Sequence, residues 1–289
     1  AVMQGINSQI KKTQKKVVFA DGEDENNLKA AIAFKSGGLG IPILIAKEEI
    51  VKQKLYEIGY SENFDIKIIN STNEELRTKY TDFLFKKLQR TEGLLERDCD
   101  KLIRNDRVTF GACMVSCGDA DAMLTGNTRR YSSSLEKICK VVDPRPGEIM
   151  FGLNMIVNRG KTIFICDTTV IEYPDENQLA EMAISAARVV RLLGFDPKVA
   201  FLSHSTFGQP TTDRTKRTSD AVKILKEKKV DFKFDGEMQP DVALEEIFQE
   251  LYPFSDIVGK ANVLIMPSQH SAAISYKMIQ SMSRAKLIG

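Results

Sequence analysis

Lys16-Val-Val-Phe-Ala-Asp-Gly-Glu-Asp24, then a helix-spaced segment at residues 27–35, then Pro42-Ile-Leu-Ile-Ala46, reads as strand, turn, helix, strand. Both apolar runs are too short for helices and are bounded by polar turn residues, as buried strands of a parallel sheet are. Residues 66–69 give a third strand, residues 74–89 and 94–104 two helices, and residues 122–125 a strand stopped by Gly126. Apolar runs alternating with helical segments predict an α/β fold, because parallel strands need crossover helices.

The sharpest interruption is Asp143-Pro-Arg-Pro-Gly147. Two prolines and a glycine in five residues continue neither a helix nor a central strand, so a domain boundary is placed there. Beyond it, residues 149–157 and 162–166 read as strands joined by Asn158-Arg-Gly-Lys161, a hairpin connection that predicts an antiparallel edge. A long amphipathic helix follows at residues 175–193, and residues 199–203, 230–234 and 262–266 read as buried strands. The expected organisation is a first domain at 1–144, completed by a return helix at 273–289, and a second at 145–272.

A chain of 289 residues, 43% hydrophobic and 28% charged, exceeds the usual size of one core and fits two domains. Its net charge of +2 provides no one-signed field of the kind nucleic acid or an anionic membrane would need. No run approaches the roughly 20 apolar residues of a membrane span, and residues 1–16 lack a signal-peptide core, so a cytoplasmic protein is expected. The five cysteines are odd in number and show no paired spacing, which reads as buried, reduced thiols. Cys113 and Cys117 lie four apart on an expected helix, but no third ligand completes a metal site, and none is assigned.

In parallel sheets, ligands gather where strand carboxyl ends, loops and helix N-termini converge. Both histidines fall there, His204 after residues 199–203 and His270 after 262–266. Each reads either as a ligand contact or as a hydrogen-bonded structural histidine. Ser205, Thr206 and Gly208 form a turn suited to phosphate or pantetheine, or else an ordinary capping turn. Arg214, Lys216 and Arg217 stand near the start of the next helix, where the dipole disfavours cations unless an anion such as a CoA phosphate joins them; the same residues read, in preference, as a solvated basic turn. Asp235, read as a strand end, and Lys277, in the last helix, complete the candidates.

Several segments, in order along essentially the whole chain, resemble the phosphate acetyl/butyryltransferases. They are Phe19-Ala-Asp-Gly-Glu-Asp24, Phe110-Gly-Ala-Cys-Met-Val115 with Gly118-Asp-Ala-Asp121, Ser205-Thr-Phe-Gly208, Asp235-Gly-Glu-Met-Gln239, and Ala261-Asn-Val-Leu-Ile-Met-Pro267 with Tyr276-Lys277. The resemblance implies two α/β/α domains with mostly parallel sheets around a cleft, like the isocitrate and isopropylmalate dehydrogenases. It also implies exchange of an acetyl group between CoA and phosphate. Such chemistry needs arginines and N–H donors to hold two anions and a tetrahedral oxyanion together. The forms Gly126-Asn-Thr-Arg129, Val142-Asp-Pro-Arg-Pro-Gly147, Thr168-Thr-Val170, Tyr252-Pro-Phe254 and Pro267-Ser-Gln-His-Ser271 are closer to the domain at the C-terminal end of bacterial hybrid malic enzymes.

That branch implies acetyl-CoA, CoA or phosphate as ligands, no cofactor in this domain, an N-terminal malic enzyme domain as partner, and a homo-oligomer. Acetyl-CoA would act there as a regulatory signal, with transfer activity reduced or absent. The loop after residues 122–125 is shorter than in stand-alone transferases, leaving Arg129, then Arg130, as candidates for the active-site arginine; the same pair also reads as a solvated loop. His270-Ser-Ala-Ala273 replaces an amide-rich turn, and the family's Ser-Arg and aspartate groups would lie beyond Leu287-Ile-Gly289, so little turnover is expected of this chain. Three other readings stay open: an active acetyl- or butyryltransferase, a nicotinamide-dependent decarboxylating dehydrogenase, and an oligomerising scaffold. The dehydrogenase is disfavoured because no GxGxxG follows an early strand and no aspartate cluster marks a divalent metal.

Overall fold

The computed structural model describes residues 2–60 and 64–289, which separate into two compact units, Ala1–Asp143 and Pro144–Gly289. The division falls inside the proline-rich break.

The first unit runs α1 (Val2–Ile10), β1 (Lys15–Phe19), α2 (Glu25–Ser36), β2 (Gly40–Ile45), α3 (Glu48–Glu57), β3 (Lys67–Ile69), α4 (Glu74–Leu88), α5 (Glu96–Asn105), α6 (Arg107–Ser116), β4 (Ala122–Leu124) and α7 (Tyr131–Val141). Its sheet, ordered β3-β2-β1-β4, is entirely parallel. Strand side chains alternate between faces, so one apolar run feeds two cores. Val18, Ala20, Ile43 and Ile45 pack with Tyr80, Leu84, Ile103 and Phe110 from α4, α5 and α6. Phe19, Leu44 and Ala46 pack with Leu28, Val51 and Leu55 from α2 and α3. Cys99 and Cys113 are part of the first core, a packing role, but the expectation of buried cysteines fails at Cys117, which is half-buried, and at Cys139, which is exposed on α7 and not in the core. Gly111 lets α6 lie close to the sheet, since a Cβ there would sit 2.6 Å from Met123 Sδ and 3.1 Å from Ile45 Cδ1.

The second unit runs β5 (Asn154–Asn158), β6 (Lys161–Cys166), α8 (Glu176–Leu192), β7 (Lys198–Leu202), α9 (Asp213–Lys228), β8 (Lys233–Met238), α10 (Pro240–Leu244), β9 (Val263–Ile265), α11 (Gln269–Ser283) and β10 (Lys286–Ile288). Its sheet is ordered β10-β5-β6-β9-β7-β8, parallel from β6 to β8 and antiparallel at the β10-β5-β6 end. The β5–β6 turn has positive φ at Arg159 (45°) and Gly160 (85°), the pair of left-handed residues that a tight hairpin requires.

Three expectations change here. Residues 273–289 do not return to the first unit: residues 273–283 continue α11 from its cap at Ser268, and β10 pairs antiparallel with β5, Leu287 opposite Ile156. Only the end of residues 149–157 forms a strand, because Gly152 folds against the Thr168–Thr169 turn and donates its amide to Asp167 Oδ1 at 2.8 Å. The strand expected at 230–234 begins three residues later, after α9 closes on left-handed Lys229, and it extends to Met238. Asp235 therefore lies within β8, paired with Ala200, and does not end it.

Candidate ligand site

The arrangement of crossovers creates the site. Ala200, Leu202, Leu264 and Met266 on one sheet face pack with Val242, Ala243 and Ala272 from α10 and α11. The alternate residues Val199, Phe201, Val263 and Ile265 are buried on the other face, where α8 and α9 lie. Neighbouring strands β7 and β9 thus send their outgoing chains to opposite faces, β7 to α9 and β9 to α11. A crevice opens where such paths diverge, at the carboxyl ends of the strands.

A cavity of about 500 Å³ occupies that position. Leu202, Ser203 and His204 line it from the end of β7, Met266, Pro267 and Ser268 from the end of β9, and Arg214 and Arg217 from α9. Ser268, the N-cap of α11, and Ser271 and Ser275 within it recur at helical spacing and put three hydroxyl-bearing residues along one side of the start of α11. Tyr173 and Pro240 complete the wall, and among the described residues no carboxylate lines it.

Arg217 dominates the electrostatics. One guanidinium nitrogen, Nη2, donates to the Pro267 carbonyl at 2.8 Å, tying α9 to the loop after β9. Its Nε is buried and has no hydrogen-bond partner. A buried donor left unpaired costs roughly 1–3 kcal/mol, a cost the fold carries at Arg217 Nε. Arg214 adds a second cation at the positive end of the α9 dipole. Two arginines, serine hydroxyls and the apolar faces of Leu202, Met266 and Pro240 suit a ligand with an anionic end and a neutral chain.

The sequence candidates separate. His204 lines the cavity, and Arg214 and Arg217 join it while Lys216 does not. Ser205 is fully buried, and its Oγ donates to Glu237 Oε1 at 3.1 Å. The Gly208 amide donates to the same oxygen at 2.6 Å, and Thr206 Oγ1 accepts the Gln239 amide at 3.1 Å. The Ser205–Gly208 turn is therefore locked to β8 from beneath, behind the cavity wall. His270 is two-thirds exposed, stacks on Tyr173 and lies 3.5 Å from Glu172, so it touches the wall from outside. Lys277 is exposed on α11, and Asp235 accepts the Gly236 amide at 2.9 Å; neither lines the cavity.

Arg129 and Arg130 belong to the first unit. Arg129 lines a separate cavity there and pairs with Asp106 at 3.4 Å, whereas Arg130 is the exposed N-cap residue of α7. Sequence reading missed Tyr173, Ser203 and the α11 serines. In sequence the run Pro267-Ser-Gln-His-Ser271 stands out through its histidine; the i, i+3, i+7 spacing of Ser268, Ser271 and Ser275 is the signal that points to the serines.

Among the described residues, no three His, Cys, Asp or Glu side chains are grouped to hold a metal, and no helix is long and apolar enough to cross a membrane.

Comparison with known proteins agrees with this architecture. An NADP-dependent malic enzyme of Rhizobium meliloti is 41% identical over 290 residues, matching all of this chain but 38% of its own length. The chain thus spans well under half of that relative. A phosphate acetyltransferase of Acetivibrio thermocellus is 29% identical over 296 residues, covering 99% of this chain and 88% of its own. The solved phosphotransacetylase of Streptococcus pyogenes superposes with a TM-score of 0.89 at 26% identity, covering 100% of this chain and 88% of that one. The sequence profile of the phosphate acetyl/butaryl transferases matches residues 1–289. With two α/β units of mostly parallel strands, an anion-suited crevice at strand carboxyl ends and a match running from first residue to last, this chain belongs to the phosphate acetyl/butaryl transferase family.

Proposed function

We propose that this chain is the phosphotransacetylase-like part of an NADP-dependent malic enzyme, placed C-terminal to the malate-decarboxylating part, and that it binds acetyl-CoA as a regulatory ligand. The observation that carries the reading is the β7–β9 crevice, with a buried unpartnered Arg217 Nε and no lining carboxylate. Acetyl-CoA matches it in kind. The two arginines suit its phosphates, and the apolar faces of Leu202, Met266 and Pro240 suit its pantetheine chain. The likeness to a malic enzyme at 41% identity supports the oxidoreductase setting, and the composition supports a cytoplasmic protein. A homo-oligomer is part of the same proposal.

Calorimetric titration with acetyl-CoA tests it. Arg217→Gln is expected to weaken binding at least tenfold, about 1.4 kcal/mol. Equal heats from both proteins would remove the crevice from the reading. In the whole malic enzyme, acetyl-CoA should change the rate of malate decarboxylation, with little acetyl phosphate formed from acetyl-CoA and phosphate. Sustained acetyl phosphate formation would instead make the domain a working transferase.

A further inference from the structure

The first unit contains a cavity of a different character. Lys47, Arg104, Arg107 and Arg129 surround about 430 Å³ at the carboxyl ends of β2 and β3, together with Asn70 and Asn105, and no acidic residue lines it. It is built entirely from residues of the first unit.

The carboxylates that hold these cations stand behind the lining. Glu23 takes Arg107 at 2.6 Å. Asp100 is shared by Arg77 at 2.7 Å and Arg104 at 2.8 Å, and Asp106 by Arg129 at 3.4 Å and Lys137. Asp106 already caps α6, accepting the Val108 and Thr109 amides at 2.9 and 3.2 Å. Among the described residues the Lys47 ammonium has no carboxylate partner within ion-pair distance; its backbone amide reaches Glu23 at 2.9 Å. Within this network five cations share three carboxylates and Lys47 stands outside them, so positive charge exceeds negative around a cavity that Lys47, Arg104, Arg107 and Arg129 line. Like charges brought together repel, and an entering anion offsets that repulsion.

We infer that this cavity is a second anion site, which binds a phosphate monoester. Three cations that converge from the ends of β2, α5 and α6 fit a tetrahedral dianion with three free oxygens better than a planar carboxylate. The volume lies in the range of about 300–1,000 Å³ common for small-molecule sites, which leaves room for the group esterified to the phosphate. Asn70 and Asn105 each offer both donor and acceptor to that group. Hydrogen bonds hold the arginines in place: burial raises the Glu23 carboxyl's pKa, but the Arg107 hydrogen bond and the Lys47 amide outweigh it, and the group stays below its ordinary range.

The experiment uses chain carrying Arg217→Gln, so that loss of the second unit's crevice cannot be mistaken for failure here. Adenosine monophosphate is titrated by calorimetry, with adenosine and inorganic phosphate as separate arms. One equivalent of the monophosphate should bind, adenosine should not, and phosphate should compete. Lys47→Gln with Arg104→Gln should weaken binding at least tenfold. Competition by CoA would assign the bound group to a CoA phosphate, and lack of it to a free nucleotide. Binding abolished by Arg217→Gln alone, or left unchanged by the double substitution, would overturn the site. If the double variant does not fold, acetylation of Lys47 by acetic anhydride, followed by mass spectrometry, decides. The monophosphate should slow that modification several-fold, and an unaffected rate overturns the proposal.

Discussion

Glu237 carries the Ser205–Gly208 turn. Only 3% of it is exposed, and its Oε1 accepts from both Ser205 Oγ and the Gly208 amide. Removing the carboxyl group takes the acceptor from the half-buried Gly208 amide and leaves the buried Ser205 hydroxyl only Ser203 Oγ, at 3.3 Å, with an unpaired buried donor costing about 1–3 kcal/mol. Glu237→Ala should therefore lower unfolding stability by at least about 2 kcal/mol, read as a fall in the urea midpoint. Glu237→Gln keeps an acceptor oxygen in place and should lose less than half as much. Equal losses from the two variants would show that side-chain volume, rather than acceptance of those hydrogen bonds, holds the turn. A motif residue that the sequence presents as a site neighbour thus acts from beneath, fixing the loop that carries His204 to the crevice.

At the scale of elements, α9 links stability to ligand binding. Its N-terminus is closed by Thr212, whose Oγ1 accepts the Thr215 amide at 3.3 Å, while Thr215 Oγ1 accepts the Thr212 amide at 2.8 Å. Thr215 is buried, so the cap is sealed from water. Loss of an N-cap side chain typically costs about 0.5–2 kcal/mol. Thr212→Ala should destabilise the chain by about 1 kcal/mol, measured by thermal or urea unfolding. Because Arg214 and Arg217 sit on the first two turns, the same variant should also weaken acetyl-CoA binding; unchanged affinity would show that α9 is held by packing alone.

For the whole molecule, acid sensitivity follows from its ion-paired carboxylates. Burial raises the pKa of Asp119, but hydrogen bonds from Lys79 at 2.7 Å and the buried Tyr80 hydroxyl at 2.7 Å outweigh it, and the carboxyl lies below its ordinary value of 3.8. Tyr80, in turn, is pushed well above its usual range, chiefly by burial. A carboxyl whose folded pKa is depressed contributes stability that is fully present above its unfolded pKa and is lost as pH falls through the folded one. Glu23 behaves in the same way. The urea midpoint should therefore hold from neutrality to about pH 5 and fall towards pH 3. Asp119→Asn should lower the neutral-pH midpoint and flatten that fall. A variant with the parent's acid slope would sink this account.

The sequence alone determined the local order: strand-helix alternation, the break at Asp143-Pro-Arg-Pro-Gly147, the hairpin at Asn158-Arg-Gly-Lys161 and the family. These are local or cumulative signals. Strand length and helical period are set by neighbours in the chain, and the family match draws on the full length. Tertiary structure decided which residues meet. Strand order β6-β9-β7-β8 places Arg217 beside Pro267, fifty positions away, and turns the α11 serines toward it. Register with β7 carries β8 through Asp235, and pairing with β5 draws residues 286–288 into the second sheet. Such choices are fixed by burying apolar faces against distant partners, a free-energy balance over the whole unit that no window of sequence contains.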